Sequence, residues 1–445
     1  MKIIDVIPER LSEKMCARAL PAVQHFVTRA FVEQVCREAE YCWRDRVWTP
    51  LLTLLGCIHK QLSGLSARQI EDWAAGLGGS PLAQGCDGHA FCMARIRLPL
   101  IVFARAMWRL GTLASNAGAW VWRGKRLLLI DGTTLRAPHT ARNIAAFGQS
   151  DNGRKKSHFP LVRMVALVCA GAGTVLDVAL GHYACSEMRA VRVLIERLES
   201  GALLILDAGL SSFMLLWLAG ERGCDVLARH HQTRHGQLFK KLGHGDELHL
   251  WKRPKKARVT WKDLLHQTPQ SLLVRVITCQ VIRKGYRNLE LKLCTTLLDP
   301  QLYPAEELVQ LYLQRWDIEV HFRTVKSDYG LVRLSGQSEE VVMKEIYSTL
   351  IAYNAVELLK ALSGGAQALS HTRARALLCE FCARMSAAPV VQLPRLYALL
   401  LELIAAAKLK FQERPPQPRA IVQRQSTYRE LTTTRRRWLH LYHAA

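Results

Sequence analysis

A chain of 445 residues, 49% of them hydrophobic, can fill the cores of about two to four domains. Its 61 basic against 37 acidic residues leave a net charge of +24, a field that recruits polyanions, nucleic acid before membrane surface. No apolar run reaches the roughly 18 residues a bilayer span needs, because Arg163, Asp177 or Asp207 interrupts the longest stretches.

Residues 1 to about 122 read as helical. The opening MKIIDVIPERLSEK lacks the apolar core of a secretory signal, and thirteen irregularly spaced cysteines suit a reducing compartment better than a disulfide framework. TPLLTLLGCIHKQL and SARQIEDWAAGLG flank the turn Ser63, Gly64, Leu65, with Ser66 and Gln69 spaced as a capping box. That is a helix-turn-helix at pattern level; two packed helices without a DNA role fit equally. FCMARIRLPLIVFARAMWRL is a basic amphipathic helix with a break or restart at Pro99.

From residue 126 the character changes. RLLLIDGTTL is too short for a helix and reads as a buried strand ending at Asp131. FPLVRMVALVC and VLDVALGHY, joined by AGAGT, read as a strand pair, and SEMRAVRVLIERLES as a helix capped by Ser186. GALLILDAGLSS is a second apolar run ending on an aspartate, Asp207, followed by a helix and the strand CDVLAR. Residues 229 to 300 are strand-rich and basic, with SLLVRVITCQVIR and NLELKLCTTLL forming a hairpin around KGYR. A helix then runs from Pro304 to Gly330, and the chain is helical again after about 345, ending in a basic tail from Gln412. The lone CxxC, Cys379 and Cys382, lacks a second ligand pair for structural zinc.

Two short strands ending in aspartate gain meaning together. If adjacent and parallel, they open their C-terminal ends at one sheet edge, where ligands collect; each aspartate alone is commonly a turn residue or helix cap. On the helix after Pro304, Tyr312, Arg315, Glu319 and Lys326 fall within an arc of about 60° at roughly 100° per residue. A solvated face laced with ion pairs is the plain reading of such a stripe. The chemical one is that Glu319 joins Asp131 and Asp207, since converging carboxylates repel unless they bind divalent cations. Two Mg²⁺ ions about 3.5–4 Å apart support in-line attack on phosphate, and the cationic stripe then holds flanking phosphates. Oxygen-only ligands favour Mg²⁺, with Mn²⁺ able to substitute.

The Tyr312, Arg315, Glu319, Lys326 spacing resembles the YREK signature of DDE transposases from bacterial insertion sequences, in the branch called family four. DGTTLRAP resembles that family's first-aspartate block, LILDAGLSS its second, and LLDPQLYPAEELVQLYLQRWDIEVHFRTVKSDYGLVRLSG its third. FCMARIRLP is similar to the end of its N-terminal domain, and the resemblance covers most of the chain from about residue 40 to 440. It implies an α/β fold: a ribonuclease-H-like catalytic core with a β-rich insertion, flanked by helical N-terminal and C-terminal domains. The expected units are 1–122, a helical DNA-binding domain; 123–229, the first part of the core; 230–299, the insertion; 300–362, the second part with the glutamate helix; and 363–445, the helical C-terminal domain and tail.

The resemblance implies Asp131, Asp207 and Glu319 as Mg²⁺ ligands, and Tyr312, Arg315 and Lys326 as DNA-phosphate contacts; Arg323 and Trp316 on the same helix are further candidates for DNA binding, with packing the alternative for Trp316. It implies cut-and-paste transposition: nicking at the element's ends, a hairpin made by the freed 3′-hydroxyl, its opening, and joining to target DNA. The expected partners are double-stranded DNA, as terminal inverted repeats and target, and a second copy in a dimeric synaptic complex, with no membrane, in the bacterial cytoplasm at the nucleoid. Trp251 and Trp261 are candidates for stacking an extruded base, or are hydrophobic anchors of the insertion. The sequence departs from its relatives at Ala208 and Leu210, where arginine and an aromatic are usual, and at His139, where an acid often stands. These departures motivate a second reading, a catalytically impaired, transposase-derived DNA-binding protein. No Walker-type loop is present to drive an ATP-dependent step.

Overall fold

The computed structural model describes residues 7–44, 46–78, 88–117, 121–151, 157–256, 258–281, 289–313, 316–331, 334–365 and 368–409; among these, side chains are described except at 7–12, 281, 289 and 316–320. Arg315, the KGYR turn and the tail from Gln412 lie outside the described residues, as do the side chains of Trp316 and Glu319.

The amino-terminal part is helical, with α1 (Ile7–Arg18), α2 (Pro21–Gln24), α3 (Arg29–Glu38), α4 (Pro50–Ser63), α5 (Ala67–Gly78), α6 (His89–Arg97) and α7 (Leu100–Ala117). The capping box forms: Ser66 Oγ accepts from Gln69 N, and Gln69 Oε1 accepts from Ser66 N at 2.8 Å. Gly64 ends α4 in the left-handed region at φ 70°, where a side chain would be strained. Pro99 separates α6 from α7, since its ring cannot continue the hydrogen-bond ladder.

One sheet then organises the chain. Its strands are β1 (Val121–Trp122), β2 (Lys125–Arg136), β3 (Leu161–Cys169), β4 (Val175–His182), β5 (Ala202–Leu206), β6 (Asp225–Arg229), β7 (Gln237–Gly243), β8 (Asp246–Lys252), β9 (Ser271–Val281) and β10 (Leu289–Thr295). The spatial order is β4-β3-β2-β5-β6-β10-β9-β8-β7, with β1 paired to β2. β2, β5 and β6 run parallel to their neighbours in that group, while β3 and β4 add antiparallel on one side. β10 pairs antiparallel with β6, so the basic strand-rich segment extends the same sheet. Between strands come α8 (Ala141–Phe147), α9 (Glu187–Glu196), capped by Ser186 Oγ, and α10 (Phe213–Glu221).

Successive residues on β2 face opposite ways, as a strand demands. Leu129 joins a core under the helical layer, whereas Leu128 and Ile130 join a second core with α9 and α10. After the sheet come α11 (Ala305–Leu313), α12 (Trp316–Asp328), α13 (Glu339–Leu362), α14 (His371–Ala387) and α15 (Leu393–Ala405).

Helix α13 is buried on nearly all sides, so its polar residues must find partners inside the protein. Asn354 takes Val175 N at 2.9 Å and donates to the carbonyls of Val175 and Met107, fastening β4 and α7 to α13. Glu345 accepts from the backbone of Ser335 and Gly336, closing the connection that follows α12. Across the sheet, Arg275 is fully buried; it forks onto Asp246 at 2.6 and 2.8 Å and donates to Tyr303 O, tying the β8–β9 pair to the approach of α11.

Candidate active site

Parallel pairing of β2 with β5 sets the site. Leu129 lies opposite Ile205. Asp131 and Asp207 each come two residues later, and the extended backbone of Asp207 (φ −77°, ψ 165°) carries the strand direction through it. Neighbouring strands lie about 4.8 Å apart, so the two aspartates stand at neighbouring positions where β5 ends, Asp131 within β2, which runs on to Arg136 and pairs it with Ala166 of β3. Asp131 Oδ1 accepts from Gly132 N at 2.8 Å. Asp207 is exposed and leads into a one-turn 3₁₀ helix at Ala208–Leu210.

A further carboxylate stands with them. Glu187 opens α9, and a Cβ added at Gly132 would collide with its Oε1, so the carboxylate rests directly on the β2 backbone. Burial raises the Glu187 pKa, and the negative charges of Asp131 and Asp207 raise it further, against the opposing pull of Arg163. Glu187 therefore lies within electrostatic reach of both aspartates. A Gly132→Ala variant is expected to push α9 off the strand, lowering the melting temperature by several degrees; thermal unfolding checks this, and an unchanged midpoint would contradict the packing.

Helix α12 lies on the opposite face of β2 from α9. Phe322 and Val325 anchor it in the core that holds Leu129, and Lys326 Nζ donates to Thr133 Oγ1. Thr133 shares the strand face of Asp131 by the two-residue repeat. Burial lowers the Lys326 pKa, while Asp131 pulls it back up. Glu319 lies on the backbone of α12, seven residues before Lys326 and hence on nearly the same helical stripe.

The far end of α12 is held by a buried polar chain. Tyr329 Oη and His371 Nε2 are 2.9 Å apart, His371 Nδ1 is 2.6 Å from Glu357 Oε1, and Lys360 donates to both Glu357 oxygens. Thr372 Oγ1 donates to Asp328 Oδ2, and Tyr353 Oη, which donates to Gly173 O, lies 2.7 Å from His321 Nδ1. These contacts fix α12 against α13 and α14.

The structure thus brings Asp131, Asp207 and Lys326 to one edge, with the α12 backbone of Glu319 alongside. Arg323 is exposed on α12. Tyr312 is only 6% exposed and packs in the core, so it does not display its ring as an open surface residue would. Trp251 and Trp261 are each 3% exposed and belong to the second core, which accounts for them as anchors of the insertion. Leu210 is buried in the same core, and His139 stacks on His158 with ring centroids 4.5 Å apart. Sequence reasoning missed Glu187: an acid after a serine cap looks like any first-turn acid stabilised by the helix dipole, and its one signal is the glycine following Asp131.

The donor set suits a hard cation. The aspartates stand at adjacent positions of two parallel strands, and oxygen donors select ions of the Mg²⁺ class. Among the described residues no group of three His, Cys, Asp or Glu side chains stands close enough to hold a metal, the Glu319 side chain being outside that set.

The transposase DDE domain family matches residues 122–355, more than half the chain; the chain belongs to that family. It is 32% identical over 243 residues to the transposase InsG of insertion sequence element IS4 from Escherichia coli K12. That alignment covers 53% of this chain and 52% of InsG, so the chain spans about half the length of this curated relative. A piggyBac transposase synaptic complex with hairpin DNA is similar at a TM-score of 0.37 and 11% identity, over 92% of this chain and 87% of the other, too distant a likeness to bear on the reading.

Proposed function

We propose that the chain is a divalent-metal-dependent DNA transposase that cuts an insertion sequence at its ends and joins those ends to target DNA. The observation that carries the proposal is the placement of Asp131 on β2 beside Asp207, which follows the end of the parallel neighbour β5. The order β4-β3-β2-β5-β6 with α12 packed across it supports a ribonuclease-H-like core, extended by the insertion through β10. The unit boundaries expected from the sequence go with this reading.

Asp131, Asp207 and Glu319 would hold the metal, Mg²⁺ or in its place Mn²⁺. When bound, a pair of such ions stabilises charge on the attacking and leaving oxygens of an in-line phosphoryl displacement. Lys326, parked on Thr133 beside Asp131, exchanges that bond for a phosphate oxygen as DNA enters. Arg323, Arg315 and Trp316 extend the contact along α12, to which Tyr312 can add only its hydroxyl, because its ring is packed away. The net charge of +24 draws in double-stranded DNA, terminal repeats and target alike. Hairpin ends and a dimeric synaptic complex complete the proposed cycle.

The deciding assay uses supercoiled DNA carrying the element's own inverted repeats with Mg²⁺ or Mn²⁺. Glu319→Ala is expected to remove cleavage, and cleavage at the unaltered rate would refute the assignment. Ala208 and Leu210, where relatives carry arginine and an aromatic, motivate the second reading, a transposase-derived protein that binds DNA without cutting. Repeat-specific binding with no metal-dependent nicking by the unaltered chain would select it.

A further inference from the structure

Four arginines in or beside the strand-rich segment form two contrasting pairs. Arg275 and Arg192 are paired: the first with Asp246, the second with Asp263 at 2.6 and 2.8 Å, with Glu196 and with Thr260 O. Arg234 and Arg258 are different. The Nε of Arg234 is buried with no hydrogen-bond partner, and among the described residues no ion pair joins a carboxylate to Arg234, Arg258 or Lys256. Burial, and then the like charge of Arg258, hold the Arg234 guanidinium below its ordinary pKa range. Leaving such donors unmatched is costly, so the arrangement is built for an anion.

Its position says which anion. The two arginines line a cleft of about 250 Å³ with His231, Lys256, Gly209 and Ser212. Gly209 and Ser212 belong to the turn that starts at Asp207, and Met188, also on the cleft wall, follows Glu187. Two connections deliver the cations, one after β6 and one after β8, and they meet over the turn that starts at Asp207. A guanidinium fork matches phosphate oxygens in bidentate fashion. The cleft is far too small for a duplex but accepts one phosphate group.

We propose that Arg234 and Arg258 form a binding site for a single DNA backbone phosphate, adjacent to the phosphate processed at Asp131 and Asp207. This rests on the transposase reading, because the cleft owes its meaning to the acids beside it.

The test uses the full chain in EDTA, so that cutting is not required, and follows fluorescence anisotropy of a labelled 30-base-pair duplex over a range of salt. Each phosphate neutralised contributes about 0.9 to the slope of log affinity against log salt. The R234Q/R258Q variant is expected to lose about one phosphate's worth of slope and to bind at least about tenfold more weakly at moderate salt. R258Q alone, at an exposed position where folding is not at stake, is expected to lose part of both. R258K is expected to keep the slope, since lysine retains the charge. Removing one of two mutually repelling cations should leave the melting temperature equal or higher, whereas a purely structural role would lower it. Unchanged slope and affinity in R234Q/R258Q and R258Q overturn the phosphate site and leave the transposase reading standing. An unaltered chain that binds no duplex at all overturns both.

Discussion

Asp131→Asn and Asp207→Asn are each expected to reduce metal-dependent nicking by roughly 10³-fold or more while the protein stays folded. A charged oxygen donor lost from such a centre removes several kcal/mol of transition-state stabilisation, and each 1.36 kcal/mol is a factor of ten in rate. The same substitutions relieve repulsion in the ground state, because both aspartates push up the Glu187 pKa. Their melting temperatures should therefore equal or exceed that of the parent, the usual sign of a site held for activity against stability. Plasmid nicking in parallel with thermal unfolding checks this. A variant that nicks at the parental rate, or that loses activity only because it unfolds, would remove these residues from the site.

The second large effect lies in the polar chain behind α12. Burial alone would raise the Glu357 carboxyl; Lys360, and then His371, hold it down at about 2. Deleting one member of a buried ion group leaves the others uncompensated, at a cost of about 3–5 kcal/mol, so Glu357→Ala should come close to unfolding the domain at 37 °C. The sign of the pH dependence follows from the depressed value. Stability from this carboxylate is present in full above its unfolded pKa near 4.5 and is lost as pH falls toward about 2, a change on the order of 3 kcal/mol. Urea unfolding of the parent and of Glu357→Gln at pH 7 and pH 3 measures it: the parent should lose more stability between the two. Equal losses would show that Glu357 is not the titrating partner. Because Tyr329, Thr372 and Asp328 join this chain to the end of α12, loosening it should also loosen the helix that carries Glu319 and Lys326.

Local signals were legible wherever a residue answers to its chain neighbours. The Ser66 and Gln69 box, the Ser186 cap, the break at Pro99 and the apolar run ending at Asp207 appear where the pattern placed them, whereas the strand expected to end at Asp131 runs on to Arg136 because β3 pairs with it that far. Each depends on contacts within a few residues, so spacing suffices to reveal it. Glu357, Lys360 and Lys344 were not legible, because they sit in a helix whose neighbours are apolar, and nothing local distinguishes a buried charge from an exposed one. The burial of Tyr312 is equally invisible locally: helical periodicity puts it on the stripe of Lys326, but which side of that stripe meets the core is decided by what packs against it.

The sequence by itself determined the two apolar runs that carry Asp131 and Asp207, the helix carrying Glu319 and Lys326, and a charge suited to DNA. Only the tertiary structure decided that β2 and β5 pair parallel in matching register, that Glu187 comes down on Gly132, and that Arg234 and Arg258 meet at the Asp207 turn without a carboxylate. The reason is physical. Secondary structure and caps are set by interactions a few residues long, whereas the field at a carboxylate is the sum over whatever distant segments folding brings within a few ångströms.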